Sequence, residues 1–357
     1  MLFKSLVKAA MVASAIASPV QHHQHHQHEK KAVVTHTVVV TVGAGDDAVV
    51  STLPVVSIAT PSSVTVSSQT VANGAIPSTV TSASASKATS ASSSPSSSSG
   101  SFSGAAKGIT YSPYNADGSC KSSSDVASDI AKLLEFEVIR LYGVDCNQVE
   151  NVLPALGDNQ KLFAGIYFVN DISGGVSTLA AAVKANGGWD RVHTVSIGNE
   201  LVNNGEATVS QIKSYVAQGR SALTAAGYTG PVVSVDTFIA VINNPELCEY
   251  SDYMAVNAHA FFDGYVAAED AGDWVLLQIE RVATACSSKS VFITETGWPT
   301  RGDSNGVAVP SSENQLAALA SISEKCGNDV TFFNAYNDLW KADGAYNAEK
   351  YWGIYSN

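Results

Sequence analysis

The chain has 357 residues and a net charge of −12, since 32 acidic side chains face 20 basic ones. This balance argues against nucleic acid as a partner, because phosphate binding needs a basic patch, and it suits an uncharged ligand such as a polysaccharide. Beyond the N-terminus no run is long and apolar enough to span a bilayer, so we expect no membrane span.

The first residues have the pattern of a secretory signal. Lys4 and Lys8 accompany an apolar, Ala-rich run at residues 9–17, which ends in Ala15-Ile16-Ala17. Small residues at these positions are typical of a signal-peptidase site, so residues 1–17 are predicted to be a signal peptide cut before Ser18. The alternative is an ordinary N-terminal helix. The last residues are not apolar, so no GPI anchor is expected. We therefore predict a secreted protein.

Residues 18–31 form a short segment in which histidine alternates with glutamine, at His22, His23, His25, His26 and His28. Such a tract can bind metal weakly, but we interpret it as a solvated pro-segment. Lys30-Lys31 is a candidate dibasic processing site.

Residues 32–106 are predicted to form a stalk. Their first part is rich in Val and Thr, which favour strands, and residues 62–103 consist largely of Ser, Thr, Ala and Pro. This composition cannot bury enough apolar surface to offset its chain entropy, so we predict a disordered, O-glycosylated stalk. No Asn-x-Ser/Thr sequon occurs, so N-glycosylation is not expected.

Residues 107–357 contain eight β-type runs separated by helical patterns, which predicts an α/β domain with a parallel sheet. Eight units in this length match a (β/α)8 TIM barrel better than an open doubly wound sheet. No glycine-rich dinucleotide fingerprint follows the first run and no metal-ligand spacing occurs, so no cofactor or metal is expected. The predicted strands are Gly108–Tyr111, Val138–Tyr142, Leu162–Phe168, Thr194–Gly198, Val232–Thr237, Tyr253–Ala258, Val291–Thr294 and Val330–Tyr336. The clearest predicted helices are Ser124–Glu135, Val176–Ala185, Val209–Ala226, Trp274–Ala285 and Glu313–Lys325.

Two glutamates lie at the C-terminal ends of predicted strands. Glu200 ends the fourth and Glu295 the seventh, where Gly297 and Pro299 stop the strand. In such barrels the active site lies at the C-terminal ends of the strands, so both carboxylates should share one face. A facing pair of carboxylates can cleave a glycosidic bond, with retention or inversion. The alternative is two unrelated acids at strand ends.

Four segments resemble glycoside hydrolase family 17, the β-1,3-glucanases: Val138–Gly143, Ile197–Glu200, Thr294–Pro299 and Phe332–Lys341. The resemblance covers residues 107–357. It implies that Glu200 is the general acid/base and Glu295 the nucleophile of a retaining enzyme, which hydrolyses β-1,3-glucan or transfers it to another chain.

The leader and stalk make the chain similar to the yeast soluble cell-wall proteins, and within these to the cell-surface mannoproteins regarded as adhesins. This likeness implies a protein of the cell wall or cell surface that is a monomer and binds wall β-1,3-glucan. The alternative function is a largely non-catalytic, glucan-binding mannoprotein or adhesin.

Other candidate substrate-binding residues lie at strand ends. Arg140 would hold Glu295 ionised, or form an ion pair elsewhere. Asn199 resembles the ligand of the sugar 2-hydroxyl and is otherwise a turn residue. Aromatic faces for glucose are expected from Tyr111, Tyr142, Phe261 and Trp298. Hydroxyl contacts are expected from Asn257 and His259, and from Asp338 and Lys341, which match the family's eighth-strand loop. Leu339 and Ala260 depart from the family pattern.

All five cysteines follow residue 119, and in a secreted protein some should pair. Barrel order makes the loops of Cys120 and Cys146 neighbours on the top face, which predicts this disulfide. Cys286 can pair with Cys248 or with Cys326, since all three precede strands at the opposite face. The remaining thiol would be buried or linked to the wall.

The tripeptide Arg301-Gly302-Asp303 follows the seventh strand. An exposed tripeptide of this kind can bind an integrin-type host receptor, which would make it a site of adhesion. The need of a turn for Gly and Asp explains the same residues.

Overall fold

The computed structural model describes residues 105–355. It also gives the backbone of two short strands, Ala15–Ala17 and Val33–Thr35, which pair with each other. The predicted pro-segment, nearly all of the stalk and most of the signal peptide lie outside the described residues.

Residues 105–355 alternate strands and helices as predicted. The strands are β1 Gly108–Thr110, β2 Val138–Arg140, β3 Lys161–Ile166, β4 Val192–Ile197, β5 in two segments Val232–Val233 and Val235–Thr237, β6 Met254–Asn257, β7 Val291–Thr296 and β8 Val330–Phe332. The helices are α1 Ser123–Ile130, α2 Gln148–Val152, α3 Ile172–Ala185, α4 Val209–Ala225, α5 Phe238–Asn243, α6 Ala271–Ala285 and α7 Ser312–Cys326.

The strands form one parallel sheet that closes through β5. Its first segment pairs with β4 and its second segment with β6, while β1 pairs with β8. The break lies at Ser234, whose N–H donates to the Ser251 hydroxyl at 2.8 Å. The predicted (β/α)8 barrel is therefore confirmed.

Side-chain caps precede several helices, which begin within one residue of their predicted starts. Ser122 caps α1, Ser311 caps α7, and Thr208 with Gln211 forms a capping box on α4. The short helix α5 was not predicted. It follows β5 directly and begins at the cap Thr237.

Alternation along the short strands decides what lies inside the barrel. Val138 packs with Phe163, Val233 and Ala255 in a small inner cluster. Arg140 is two residues further along β2, so it shares this inward face nearer the C-terminal end. The inner face thus changes from apolar to polar as the strands reach the site.

Two disulfides hold loops on opposite ends of the domain. Cys120 is bonded to Cys146, as predicted, and Cys248 is bonded to Cys286, which decides the alternative left open above. Cys326 is a buried free thiol. No helix within residues 105–355 has both the length and the apolarity needed to cross a membrane.

Candidate active site

Glu295 lies inside β7, one residue before its end, and is buried. Its Oε1 accepts hydrogen bonds from Arg140 Nη1 and from the Tyr142 hydroxyl, both at 2.9 Å. Its Oε2 lies 3.3 Å from His259 Nε2. Three side chains, from the C-terminal ends of β2 and β6, therefore hold the Glu295 carboxylate in place.

These contacts keep Glu295 ionised. Burial by itself would raise its pKa, but the charge of Arg140, with the hydrogen bonds from His259 and Tyr142, outweighs burial and lowers the pKa to about 2. Because the carboxylate is charged, the facing His259 Nε2 carries a proton. The other ring nitrogen, Nδ1, is buried and has no hydrogen-bond partner among residues 105–355.

Glu200 lies in a tight turn just after β4. Gly198 and Glu200 both have left-handed backbones, with φ of 73° and 54°, which is uncommon for a glutamate. The Glu200 N–H donates to the carbonyl of Val235 at 2.9 Å, which ties the turn to β5. Its Oε1 accepts a hydrogen bond from Asn257 Nδ2 at 2.9 Å.

The surroundings of Glu200 favour its neutral form. Burial, followed by the negative charge of Glu295, raises its pKa to about 7, and the amide of Asn257 only partly opposes this. The two carboxylates therefore titrate far apart: one is a charged base and the other a proton donor at neutral pH. Such a separation is what acid/base assignment in an active site requires.

A polar network joins the two glutamates. Arg140 also donates through Nη1 to the carbonyl of Thr294 and through Nη2 to Asn199 Oδ1, each at 2.8 Å. Asn257 Oδ1 accepts from the Thr294 hydroxyl at 2.7 Å, and its amide reaches Glu200. Asn257 pairs with Glu295 across the β6–β7 register. The predicted cluster of Arg140, Asn199, Asn257 and the two glutamates is thus one assembly.

The loop after β8 contributes a second cluster. Asp338 accepts hydrogen bonds from Asn334 Nδ2 and Trp340 Nε1, and forms an ion pair with Lys341 at 2.9 Å. Burial would lower the pKa of Lys341, but the carboxylates around it, Asp338 first and then Glu349, outweigh burial and raise it. The Lys341 ammonium lies 4.7 Å from the Phe333 ring centre. Asp338 and Lys341 therefore neutralise each other beside the site.

Three predicted sugar platforms are wrong, because Tyr111, Phe261 and Trp298 are at most 1% exposed. The Tyr111 hydroxyl donates to Asp129, and Trp298 Nε1 donates to the carbonyl of Val309. Phe261 packs edge-on against Trp298. A strand-end position does not reveal on which side of the chain a ring lies, and here the rings close the core.

Tyr142 was also predicted to offer a ring face to glucose, but the structure shows it in contact with the site's charged residues. Its hydroxyl contacts Glu295, and its ring lies 4.5 Å from the Arg140 guanidinium. His259 likewise contacts Glu295, although the sequence indicated a hydroxyl ligand.

Most of the exposed aromatic residues were missed by sequence reasoning, which singled out only Trp340, within the family segment Phe332–Lys341. Six aromatic side chains within residues 105–355 are strongly exposed, and all six follow the C-terminal ends of β3, β6 and β8. They are Tyr167, Phe168, Phe262, Tyr265, Trp340 and Tyr346. Tyr167 and Phe168 were assigned to the end of an apolar strand, and nothing in their spacing distinguishes them from core residues.

Comparison with known proteins identifies the family of the chain. The BtgE/BtgC glycoside hydrolase domain matches residues 108–353. The chain belongs to glycoside hydrolase family 17. It is therefore a glycoside hydrolase by family, as the motifs indicated.

Two curated relatives are similar over about 70% of the chain. The cell surface mannoprotein MP65 of Candida albicans is 70% identical over 256 residues, which are 71% of this chain and 68% of the relative. The probable family 17 glucosidase SCW4 of Saccharomyces cerevisiae is 64% identical over 258 residues, 72% of this chain and 67% of the relative.

A solved structure shares the fold. It is an active-site mutant of a Rhizomucor miehei β-1,3-glucanosyltransferase in complex with laminaritriose, with a TM-score of 0.60 and 21% identity, covering 71% of this chain and 93% of that one.

Proposed function

We propose that this family 17 glycoside hydrolase acts on β-1,3-glucan of the cell wall by a retaining mechanism. Glu295 serves as nucleophile and Glu200 as general acid/base. The observation that carries the proposal is the difference between the contacts of the two glutamates within one network. Arg140, Tyr142 and His259 contact Glu295, which lowers its pKa to about 2, whereas Glu200 is contacted by the uncharged amide of Asn257 and its pKa is raised to about 7.

The first step uses both glutamates. Glu200 gives its proton to the glycosidic oxygen while the Glu295 carboxylate attacks the anomeric carbon, so that the glycosidic bond breaks and a sugar ester forms. Esterification removes the charge of Glu295, which is one cause of the raised pKa of Glu200. The pKa of Glu200 then falls, which suits it to act as base.

The second step reverses the roles. Glu200 takes a proton from water or from a hydroxyl of a second glucan chain, and the resulting oxygen attacks the anomeric carbon and releases Glu295. Arg140, Tyr142 and His259 hold the Glu295 carboxylate throughout. Asn199 accepts from Arg140 through Oδ1, which leaves its amide to donate to the sugar 2-hydroxyl.

The names of the relatives support the substrate and the location. One relative is a cell surface mannoprotein and another a probable family 17 glucosidase, while the solved structural neighbour is a β-1,3-glucanosyltransferase. The acidic composition suits a neutral glucan. We infer a secreted protein of the cell wall or surface that acts as a monomer.

A glucan-binding adhesin is the second candidate, and the mannoprotein relative favours it. The tripeptide Arg301-Gly302-Asp303 is exposed, as adhesion would require. However, Asp303 accepts a hydrogen bond from Asn347, and the Arg301 guanidinium lies 5.5 Å from the Tyr351 ring centre. A receptor would have to displace both contacts, and its use of this site stays a prediction.

The test is to incubate the purified secreted chain with laminari-oligosaccharides and to follow product length and anomeric configuration. Shorter products indicate hydrolysis and longer ones transfer, and new β-linked products indicate retention. If wild type binds the oligosaccharides but yields neither product, the enzymatic proposal fails and the adhesin remains.

A further inference from the structure

We propose that Tyr167 and Phe168 form the acceptor subsite, which holds the incoming sugar beside Glu200 and so sets the ratio of transfer to hydrolysis. The inference rests on the proposed function and assigns residues that neither the motifs nor the polar network identified.

The backbone places this pair next to the acid/base. Ile166 at the end of β3 pairs with Ile197 at the end of β4, and the Gly198 N–H donates to the Ile166 carbonyl at 2.9 Å. Tyr167 therefore leaves its strand directly alongside the turn that carries Glu200.

The two rings present surface that the predicted platforms lack. Tyr167 is 48% exposed and Phe168 is 60% exposed. Their ring centres are 5.3 Å apart and their planes meet at 83°. Two exposed rings at a right angle offer an apolar corner, and the C–H faces of a glucose ring stack on such surfaces.

The charged groups of the site lie close enough to Tyr167 to act on its phenol. Burial, followed by the carboxylates of Glu206 and Glu200, raises its pKa, while Lys341 acts in the opposite direction and Glu295 adds the smallest effect. The phenol therefore keeps its proton and can donate to a sugar hydroxyl.

The mechanism explains why this position matters for transfer. Glu200 protonates the leaving oxygen and later deprotonates the attacking one, so by microscopic reversibility leaving sugar and acceptor occupy the same side. Water competes with the acceptor for the sugar ester. A ring that retains the acceptor sugar raises its occupancy and shifts the products toward transfer.

The experiment uses Tyr167→Ala and Phe168→Ala in the full secreted chain. The donor is β-laminaribiosyl fluoride, whose leaving group carries no sugar, and the acceptor is laminaritriose. Fluoride release reports formation of the sugar ester, and the ratio of elongated to hydrolysed product reports its fate. We expect fluoride release without acceptor to stay within about twofold, and the ratio to fall about tenfold for each ring removed.

Three controls make the result specific. Tyr167→Phe keeps the ring and should retain most of the transfer. Tyr265→Ala removes an even more exposed aromatic, 82% exposed, from the loop after β6 and should leave the ratio unchanged. Raising the laminaritriose concentration should restore transfer by Tyr167→Ala, because a lost subsite raises the acceptor KM.

The outcomes separate the two proposals. No fluoride release by wild type would overturn the proposed function and this inference with it. Transfer by wild type together with an unchanged ratio in both folded alanine variants would overturn the inference alone. A proportional fall of fluoride release and transfer would assign the rings to the donor, which also overturns it.

Discussion

The end of β4 and the end of β7 each present one glutamate to the same face of the barrel, and their surroundings differ throughout. Glu295 sits within a strand, is buried, and is contacted by Arg140, Tyr142 and His259. Glu200 sits in a left-handed turn, is partly exposed, and is contacted by the uncharged amide of Asn257. These neighbours lower the pKa of one glutamate and raise the pKa of the other.

The difference matches two chemical tasks. A nucleophile must stay charged and in place, which rigid strand geometry and a fixed cation provide. An acid/base must exchange its proton with solvent or acceptor during turnover, which requires contact with the open face. The following predictions test this contrast, from the largest expected effect to the smallest.

Removing the nucleophile should have the largest effect. Glu295→Gln keeps the shape but cannot form the sugar ester, so turnover of laminari-oligosaccharides should fall by about 10,000-fold or more. Initial rates of product formation measure this, with glucan binding as the control for an intact site. Residual activity above one hundredth of wild type would contradict the assigned role.

Removing the acid should have an effect that depends on the leaving group. Glu200→Gln should slow cleavage of laminari-oligosaccharides by about 100- to 10,000-fold, because the sugar oxygen then leaves without a proton. A 2,4-dinitrophenyl laminarioside has a leaving group that needs no proton, so its initial burst should be nearly normal. Equal losses on both substrates would contradict the assignment.

The pH profile should reflect the two pKa values. Between about 2 and about 7 Glu295 is charged and Glu200 protonated, so kcat/KM should be level there. Above about 7 Glu200 loses its proton, and kcat/KM should fall about tenfold per pH unit. This limb should vanish in Glu200→Gln acting on the dinitrophenyl substrate. A profile that rises above pH 7 would reverse the roles.

Replacing each glutamate by glutamine should change the free energy of unfolding in opposite directions at the two positions. The lowered pKa of Glu295 means that its contribution is present above its ordinary pKa of 4.5 and is lost as pH falls through about 2. The raised pKa of Glu200 means that its contribution is complete below 4.5 and is lost as pH rises through about 7.

At pH 8 Glu295→Gln should therefore destabilise the fold by about 3 kcal/mol, because Arg140 remains buried without its counter-ion. Glu200→Gln should stabilise it by about 1 kcal/mol, an amount reduced by solvent contact. Urea unfolding measures both, and the Glu200→Gln difference should disappear at pH 4. Equal destabilisation by both would show that the two surroundings do not differ as described.

Much of the site could be predicted before the structure. Each of the two glutamates follows an apolar β-run that Gly or Pro ends, and strand counting places both on one face. The motif around Arg140 led to the expected contact with Glu295. The exposure of the aromatic rings was predicted wrongly, because the orientation of a ring depends on packing between loops. Trp298 is buried and donates a hydrogen bond to the carbonyl of Val309. Tyr167 and Phe168 are exposed, although their sequence is typical of a core strand.

By itself the sequence determined the barrel and the identity of the two acids, because alternation of strands and helices and the residues that end strands are local signals. Only the tertiary structure decided the proton affinities, since these depend on side chains from β2 and β6 that are distant in the chain. It also decided that Cys248 pairs with Cys286 and which aromatic rings face solvent. These properties depend on residues that are close in space but distant in the chain, so a local sequence pattern does not predict them.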